Sequence, residues 1–346
     1  MLSRRSAAAL AAFAALVGCA TQTASAATVP ATTTSSGTSL SVLAWNVDLA
    51  TPIVDSTQNE RAAQRTPVIE SILRKHNADV VVLDESFNSS ATADIDAKLA
   101  DLYPYRTPVV GQVCSGGGWS GVSGNCSTSW FVINGGTQIL SKYPITAQYA
   151  RVFANSTYGT WDYHANKGAA LAKINKNGVD TWVVGTHLQA DEDGTSTDTT
   201  QSTRLGQLAE IRSWVNGVAG AAAPVLIGGD LNVEYLHGQS RGDYADAQAA
   251  VGGALGTPAT DPAAVYTTMD CSVSAWCQFM SGVETFPVDY RDDLDYLGYL
   301  NAPGRAVPAA LPRVKVDFDP QAGWTAGQLD TQSPSDHYPV EATFQL

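Results

Sequence analysis

Charged residues are scarce in this 346-residue sequence, and positive charge is scarcer than negative. Only 15% of the residues are charged, and 20 Lys and Arg stand against 33 Asp and Glu, which gives a formal net charge of -13. This shortage of positive charge argues against an extended polybasic clamp for nucleic acid. It does not exclude phosphate chemistry, because a bound divalent cation can neutralise a phosphate locally. The apolar share of 44% is enough for a large core, so disordered and fibrous classes are excluded.

Long apolar runs are also missing, and none approaches the ~18 residues of a membrane-spanning helix. The early run Ser6–Val17 follows two arginines and is typical of an export signal. Ala24–Ala26 fits a signal-peptidase site, which predicts a secreted, extracellular protein. The alternative is Leu16–Cys19, which resembles a lipobox and would leave the protein lipid-anchored through Cys19.

Composition divides the chain into three segments. Residues 1–26 are expected to be a signal peptide, and residues 27–39, rich in Thr, Ser and Ala, a flexible linker. Residues 40–346 contain no repeat, charge block or second linker, so we expect one folded domain there. Apolar periodicity predicts an α/β fold, because strand and helix patterns alternate. The expected elements are strands at Leu40–Trp45, Val80–Leu83, Thr181–Val184 and Val225–Ile227 and helices at Thr57–His76 and over residues 205–215.

Cysteine is rare, with five residues in the chain. Once Cys19 is removed or lipidated, four remain, an even number that suits disulfides in an oxidising compartment. Their spacing lacks the C-x-x-C pattern of a zinc site. Of the three possible connectivities we expect the local one, in which Cys114 bonds Cys126 and Cys271 bonds Cys277.

Polar residues follow or interrupt several of the apolar, strand-like segments. Each alone has an ordinary structural interpretation, such as a turn or helix cap for a carboxylate or a buried structural histidine. Their joint occurrence favours a site, because neighbouring strand ends lie roughly 5 Å apart and can bring distant residues together. Carboxylates, carboxamides and imidazoles suit a hard metal and acid–base chemistry. The residues are Asn46, Glu85, His187, Asp230, Asn232, Asp295, Asp336 and His337.

The motifs that contain these residues resemble the endonuclease/exonuclease/phosphatase superfamily, which has the DNase I-like fold. The sequence of these motifs is most similar to that of secreted bacterial sphingomyelinases C, and the resemblance covers nearly all of residues 40–346. It implies a four-layer α/β sandwich in which two packed mixed sheets are flanked by helices. The motifs are Trp45-Asn46, Leu83–Phe87, Ala165–Gly168, Gly185–Ala190, Gly228–Val233, Leu294–Tyr296 and Ser335–Thr343.

The resemblance implies a metal site and names its ligands. Glu85 would hold a catalytic Mg²⁺, with Asn46 assisting and with Asp230 and Asp336 nearby. Mn²⁺ or Co²⁺ can substitute in an oxygen-rich site of this kind, and neither metal number nor identity is fixed by the sequence.

The resemblance also implies catalytic roles. His337, oriented by Asp295, would be the general base that activates water, and Asp230 would help to position that water. Asn232 would donate a hydrogen bond to the phosphoryl oxygen. His187 would either stabilise the phosphate or protonate the leaving alkoxide, and both roles are open.

The expected activity is metal-dependent hydrolysis of sphingomyelin to ceramide and phosphocholine by direct attack of water. Lys167 would lie close to the phosphate, Phe87 would contact the substrate, and Trp119, expected to be exposed, would touch the membrane surface. The partner is sphingomyelin or a related phospholipid at a membrane surface, with nucleic acid not expected and a monomer expected. A secreted nuclease and a non-catalytic lipid-binding module are the alternatives.

Overall fold

Strands and helices alternate along the described chain, as the periodicity predicted. The computed structural model describes residues 38–51, 56–192, 194–220, 223–252, 255–260, 267–272, 274, 277–278, 287, 289–300, 315–316 and 334–346. The helices are α1 (Ser56–His76), α2 (Ser89–Lys98), α3 (Thr197–Ala219) and α4 (Asp243–Val251). The strands are β1 (Ser39–Asn46), β2 (Val80–Asp84), β3 (Tyr105–Arg106), β4 (Gly121–Gly124), β5 (Gln138–Ser141), β6 (Ile145–Val152), β7 (Gly168–Lys176), β8 (Val179–Thr186), β9 (Val225–Asp230), β10 (Leu255–Gly256), β11 (Met269–Asp270), β12 (Arg291–Asp292), β13 (Asp295–Tyr299), β14 (Lys315–Val316) and β15 (Val340–Gln345).

The strands form two large mixed sheets and one small sheet. The first has the order β14-β15-β1-β2-β5-β3, and the second has the order β10-β13-β9-β8-β7-β6-β4. In the first sheet β1 runs parallel to β2 and antiparallel to β15. In the second, β9 runs parallel to β8 and antiparallel to β13. The remaining two strands, β11 and β12, pair with each other.

Side-chain alternation along the central strands produces three apolar layers. On β1, Val42 and Ala44 pack between the two sheets, whereas Leu43 and Trp45 point to the opposite face, against α1 and α2. On β9, Leu226 enters the layer between the sheets, and its neighbours pack under α3 and α4. Helices therefore cover the outer face of each sheet, and the expected four-layer α/β sandwich is confirmed.

The two sheets bring their functional strand ends to one edge. Asn46 pairs in register with Asp84 at the ends of the parallel strands β1 and β2. Asp230, the last residue of β9, pairs with Asp295, the first residue of the antiparallel β13. Ala44 pairs with Val340, which places the residues just before β15 beside the end of β1. This register gathers residues that are almost 300 positions apart in the sequence.

Both expected disulfides are present. Cys114 bonds Cys126 with their Cα atoms 5.5 Å apart, and Cys271 bonds Cys277 at 4.8 Å. Within the described residues, no helix has the length and apolar content needed to span a bilayer. The expected signal peptide and almost all of the linker lie outside the described residues.

The expectation that Trp119 is exposed is wrong. Its side chain is only 7% exposed and packs in the layer between the sheets. The Gly-rich segment before it is a tight turn, in which Trp119 N donates to Gly116 O at 3.1 Å. The chain then enters the edge strand β4, and Ser120 N donates to Gln148 O at 2.7 Å. Glycine here allows the chain to fold back sharply, so the indole ring is directed into the core.

Candidate active site

Three side chains from the ends of three strands form the centre of the site. Asn46 Nδ2 donates to Glu85 Oε1 at 2.8 Å and to Asp230 Oδ2 at 2.9 Å. Asn46 Oδ1 accepts from the backbone N of Asp48 at 3.0 Å, which fixes the orientation of the amide. Glu85 has a left-handed backbone with φ of 55°, held by the bond from Leu49 N to its carbonyl at 3.0 Å. Such a conformation is uncommon outside glycine and is typical of functional positions.

His337 and Asp295 form a buried pair beside this centre. His337 Nδ1 lies 2.7 Å from Asp295 Oδ2, and Nε2 lies 3.8 Å from Asp230 Oδ2. Because the carboxylate accepts from Nδ1, Nε2 is the nitrogen that faces the site. Burial by itself lowers the pKa of His337, but the charges of Asp295 and Asp230 outweigh it and raise the pKa well above its ordinary value.

The loop before β15 is tied to β1 at several points. Ser335 Oγ donates to Asn46 O at 2.6 Å and accepts from His337 N at 3.1 Å. Trp45 Nε1 donates to His337 O at 2.9 Å. The buried guanidinium of Arg65 on α1 donates to Val47 O at 2.7 Å and also bonds Pro334 O. These bonds fix the backbone of His337 against the first sheet.

His187 lies on the other side of Asp230, next to a lysine. Its Nε2 is 3.6 Å from Asp230 Oδ2 and accepts a hydrogen bond from Lys167 Nζ at 3.1 Å. Lys167 Nζ also donates to Leu188 O at 3.1 Å and pairs with Asp162 Oδ1 at 2.6 Å. Burial, followed by the positive charges of Lys167 and His337, lowers the pKa of His187 well below its ordinary value. The imidazole is therefore neutral at neutral pH.

Asn232 and Phe87 complete the set named from the sequence. Asn232, with φ of 50°, donates through Nδ2 to Leu188 O at 3.1 Å, and its backbone N donates to Asp230 Oδ1 at 2.9 Å. The Phe87 ring lies beside the imidazole of His187, with 6.5 Å between the ring centroids. The structure thus brings all of the predicted side chains to one edge of the sandwich, while the role of each residue stays a prediction.

The electrostatics of the cluster fit a divalent cation. Burial, together with the charge of Asp336, raises the pKa of Glu85 to about 7. Burial also raises the pKa of Asp230 to about 6. Neighbouring buried carboxylates with raised pKa values are ligands that a hard cation prefers, since its positive charge offsets the repulsion between them. Glu85, His187 and Asp230 each offer a ligand atom within 4.8 Å of the others. Because Lys167 already donates to the His187 nitrogen, the carboxylate oxygens of Glu85 and Asp230 are the atoms left to bind a cation.

The comparisons agree with this geometry. The chain matches the Endonuclease/Exonuclease/phosphatase family over residues 43–337. It is 31% identical over 285 residues to a sphingomyelinase C of Bacillus cereus, an alignment that covers 78% of each chain. The chain belongs to this family, in its sphingomyelinase C branch. An alignment with the sphingomyelinase C of Listeria ivanovii, at 37% identity over 163 residues, spans only 46% of each chain.

Two solved structures have the same fold. The crystal structure of sphingomyelinase C from Streptomyces griseocarneus is 30% identical, with a TM-score of 0.72, and the match covers 88% of this chain and 99% of that one. A Staphylococcus aureus beta toxin mutant with bound magnesium ions is 25% identical, with a TM-score of 0.71, over 88% of this chain and 99% of that one.

Two carboxylates in this sphingomyelinase-like site were missed in the sequence. Asp84 is fully buried, accepts from Thr137 Oγ1 at 2.7 Å and from Asp230 N at 3.0 Å, and so joins the two sheets next to Glu85 and Asp230. Burial raises its pKa well above the ordinary value. Asp162 is the ion-pair partner of Lys167. A charged residue ending the apolar run Val80–Leu83 is a signal for Asp84, whereas nothing in the local sequence distinguishes Asp162.

Proposed function

We propose that this protein is a metal-dependent phosphodiesterase that hydrolyses sphingomyelin to ceramide and phosphocholine. The observation that carries the proposal is the His337–Asp295 pair, whose free imidazole nitrogen faces Asp230 beside the carboxylate of Glu85. A general base and a hard-cation site side by side are what hydrolysis of a phosphodiester by water requires. The relatives named sphingomyelinase C support the choice of substrate.

We assign the metal to Glu85, Asp230 and Asp336, with Asn46 donating to two of these carboxylates. Mg²⁺ is the proposed ion, because the available ligands are oxygen atoms and because a structural neighbour is described with bound magnesium ions. When bound, the cation neutralises the phosphodiester and makes phosphorus easier to attack. Mn²⁺ or Co²⁺ would be accepted by the same ligands.

The protein groups then divide the proton chemistry. Asp295 holds His337 in the tautomer that presents Nε2, and this nitrogen takes a proton from water as the water oxygen attacks phosphorus. The bond from phosphorus to the ceramide oxygen breaks, that oxygen takes a proton from solvent water as ceramide leaves, and His337 returns to solvent the proton that it took from the attacking water. Because the pKa of His187 is lowered well below its ordinary value, we assign it to donating a hydrogen bond to the phosphate from Nε2 as a neutral imidazole, with Lys167 Nζ turned from this nitrogen to the phosphate when substrate is bound, and not to transferring a proton.

We further propose that the protein acts outside the cell as a monomer, after removal of residues 1–26. The two disulfides support this location, because such bonds persist in oxidising compartments. Phe87, beside His187, is placed to contact the substrate near the phosphate.

The test is phosphocholine release from sphingomyelin dispersed in detergent, with Mg²⁺ or with EDTA. We expect release that needs both the metal and His337, and no release by His337→Ala. His76→Ala is the matched control, because His76 also bonds a carboxylate, Glu341 Oε2 at 2.9 Å, but lies at the C-terminal end of α1, just before the start of β2 and away from the strand ends that form the site. Phosphatidylcholine, ceramide phosphoethanolamine and lysolipids tested in parallel give the head-group preference. Nicking of plasmid DNA without phosphocholine release would overturn the substrate.

A further inference from the structure

Large aromatic side chains are exposed in one part of the molecule. Among the described residues, seven large apolar or aromatic side chains are exposed, and five of them lie on two loops. Trp130 is 81% exposed and Tyr158 is 82% exposed. We name these five rings the aromatic rim; they are Trp130, Phe131, Tyr158, Trp161 and Tyr163. A group of exposed rings of this size is uncommon on a surface that faces only water.

The two loops are joined into one surface. Ile133 N donates to His164 O at 3.0 Å, and Asn166 N donates to Ile133 O at 2.9 Å. The side chain of Asn166 bonds both the N and the O of Ser127, each at 2.9 Å. The Cys114–Cys126 disulfide closes the base of the first loop. These bonds hold the backbones of the two loops together, so the five rings belong to one surface.

The same loops border the candidate active site. In the first loop, Asn134 Nδ2 donates to Phe87 O at 3.0 Å. In the second, Asp162 pairs with Lys167, which in turn bonds His187. The Glu192 carboxylate accepts from the backbone N of Trp161 at 2.6 Å, which anchors the second loop from another side. Any surface that contacts the rim thus lies next to the catalytic groups.

The charge of the rim indicates what it contacts. Residues 107–141 contain no Asp, Glu, Lys or Arg, and residues 153–166 contain only Asp162, which is paired with Lys167. An anionic membrane is recognised by clusters of Lys and Arg, and the rim has none. Trp and Tyr are instead enriched at the level of lipid headgroups, where one end of the ring is apolar and the other is wet, and their faces attract quaternary ammonium groups.

We propose that the aromatic rim is a membrane-docking surface for bilayers of zwitterionic, choline-headgroup lipid, and that it places the catalytic opening on the lipid surface. The inference rests on the proposed function, since it explains how an acidic protein would reach a substrate embedded in a bilayer. Docking by aromatic rings needs no net attraction between charges, so binding is expected to change little when salt is raised.

The experiment measures binding separately from catalysis. The mature protein, purified after removal of the signal peptide, is sedimented with phosphatidylcholine vesicles in EDTA, where no metal-dependent hydrolysis takes place. We expect the Trp130→Ala/Phe131→Ala variant to bind at least about tenfold more weakly than the parent protein, because the rings no longer leave water for the headgroup layer. Its release of phosphocholine from detergent-dispersed sphingomyelin is expected to stay within about twofold.

Tyr105→Ala is the matched control. Tyr105 is an exposed ring on β3, which pairs with Ser141 at the end of the first sheet opposite the site. Its removal should leave vesicle binding unchanged. A second measurement uses bilayers of brominated phosphatidylcholine, which quench tryptophans that enter the lipid; quenching should fall in Trp130→Phe, a substitution that keeps an aromatic ring.

Equal vesicle binding by the double variant and the parent protein would overturn the proposal. So would binding that needs anionic lipid and is lost in high salt. A change of oligomeric state in the double variant would also overturn it, because the rim would then be a contact between copies of the chain. Failure of the sphingomyelin assay with intact vesicle binding would instead overturn the proposed function and leave the docking surface in place.

Discussion

The two sides of the candidate active site contain the same residue type in opposite electrostatic surroundings. His337 and His187 are both buried, and their Nε2 atoms lie 3.8 and 3.6 Å from the same oxygen of Asp230. What differs is the second neighbour, which is the carboxylate of Asp295 for one and the ammonium of Lys167 for the other. The pKa of His337 is raised and the pKa of His187 is lowered as a result, although burial lowers both.

Burial lowers the pKa of both imidazoles, so the difference in protonation state between them comes from their partners. A neutral His187 is a poor proton donor, but it can take part in hydrogen bonds with a phosphate. His337 accepts a proton readily because two carboxylates stabilise the imidazolium that forms. A cation among Glu85, Asp230 and Asp336 would offset part of that negative charge, so His337 would be free to act as a base at neutral pH.

The largest expected effect separates the two histidines directly. We expect His337→Ala to lower kcat/KM for detergent-dispersed sphingomyelin by about 10³-fold or more, because the general base is lost. His187→Ala should cost about 10²-fold, since only stabilisation of the phosphate is lost. Initial rates of phosphocholine release give both values, with His76→Ala as the control for loss of a buried histidine. A larger loss in His187→Ala than in His337→Ala would reverse the assignment of the base.

The next effect concerns the partner of the base. Asp295→Asn keeps the size of the side chain but removes the charge that raises the pKa of His337, and we expect a loss of roughly 10²-fold in kcat, at the lower end of what general-base catalysis contributes. The general base works only when deprotonated, so the rate rises with pH through its pKa. Because Asp295→Asn lowers that pKa, the acid limb of the pH–rate profile should move to lower pH. A merely structural role for Asp295 would lower the rate without moving the limb.

The fold and the convergence of the site could be predicted to a large extent from the sequence. The strand–helix alternation placed β1, β2, β8 and β9 correctly to within a few residues at each end. A polar residue after a continuous apolar strand is visible in the sequence, and strand geometry then requires these residues to meet. This reasoning identified Asn46, Glu85 and Asp230, because each is local to a strand end.

Contacts set by tertiary packing could not be predicted in this way. Asp162 and Lys167 are paired through the path of a loop, and the local sequence shows only that both are polar. Trp119 was placed at the surface because glycines surround it, whereas the turn that those glycines form directs the ring into the core. The proton states of His187 and His337 depend on neighbours that are 20 and 42 residues away, so no local pattern distinguishes the two.

The third prediction concerns metal binding and pH. The pKa of Glu85 in the folded protein, about 7, lies above its ordinary value of 4.5, so without metal the stability that this group contributes falls as pH rises from about 4.5 through 7. A cation must displace that proton, so its apparent affinity should increase roughly tenfold per pH unit up to pH 7. Thermal unfolding with and without Mg²⁺ between pH 5.5 and 8 measures this. Glu85→Gln should weaken binding and remove the pH dependence above about pH 6, where Asp230 is already deprotonated, and a metal-induced shift in the parent protein that is independent of pH would contradict the assigned ligand.

The smallest expected effect tests the other half of the comparison, the lysine beside His187. Lys167→Met removes the ammonium group 3.1 Å from His187 Nε2, so the pKa of His187 should rise, because one of the two positive charges that lower it is gone. We expect kcat/KM to fall only about tenfold, since the base and the metal ligands are untouched. The titration of His187, followed by NMR of the imidazole, measures the first effect. Lys176→Met is the matched control, because Lys176 forms a similar 2.6 Å pair with Asp79 away from the site. An unchanged His187 titration in Lys167→Met would mean that burial alone keeps this imidazole neutral, and the two histidines would then differ only because Asp295 lies beside one of them.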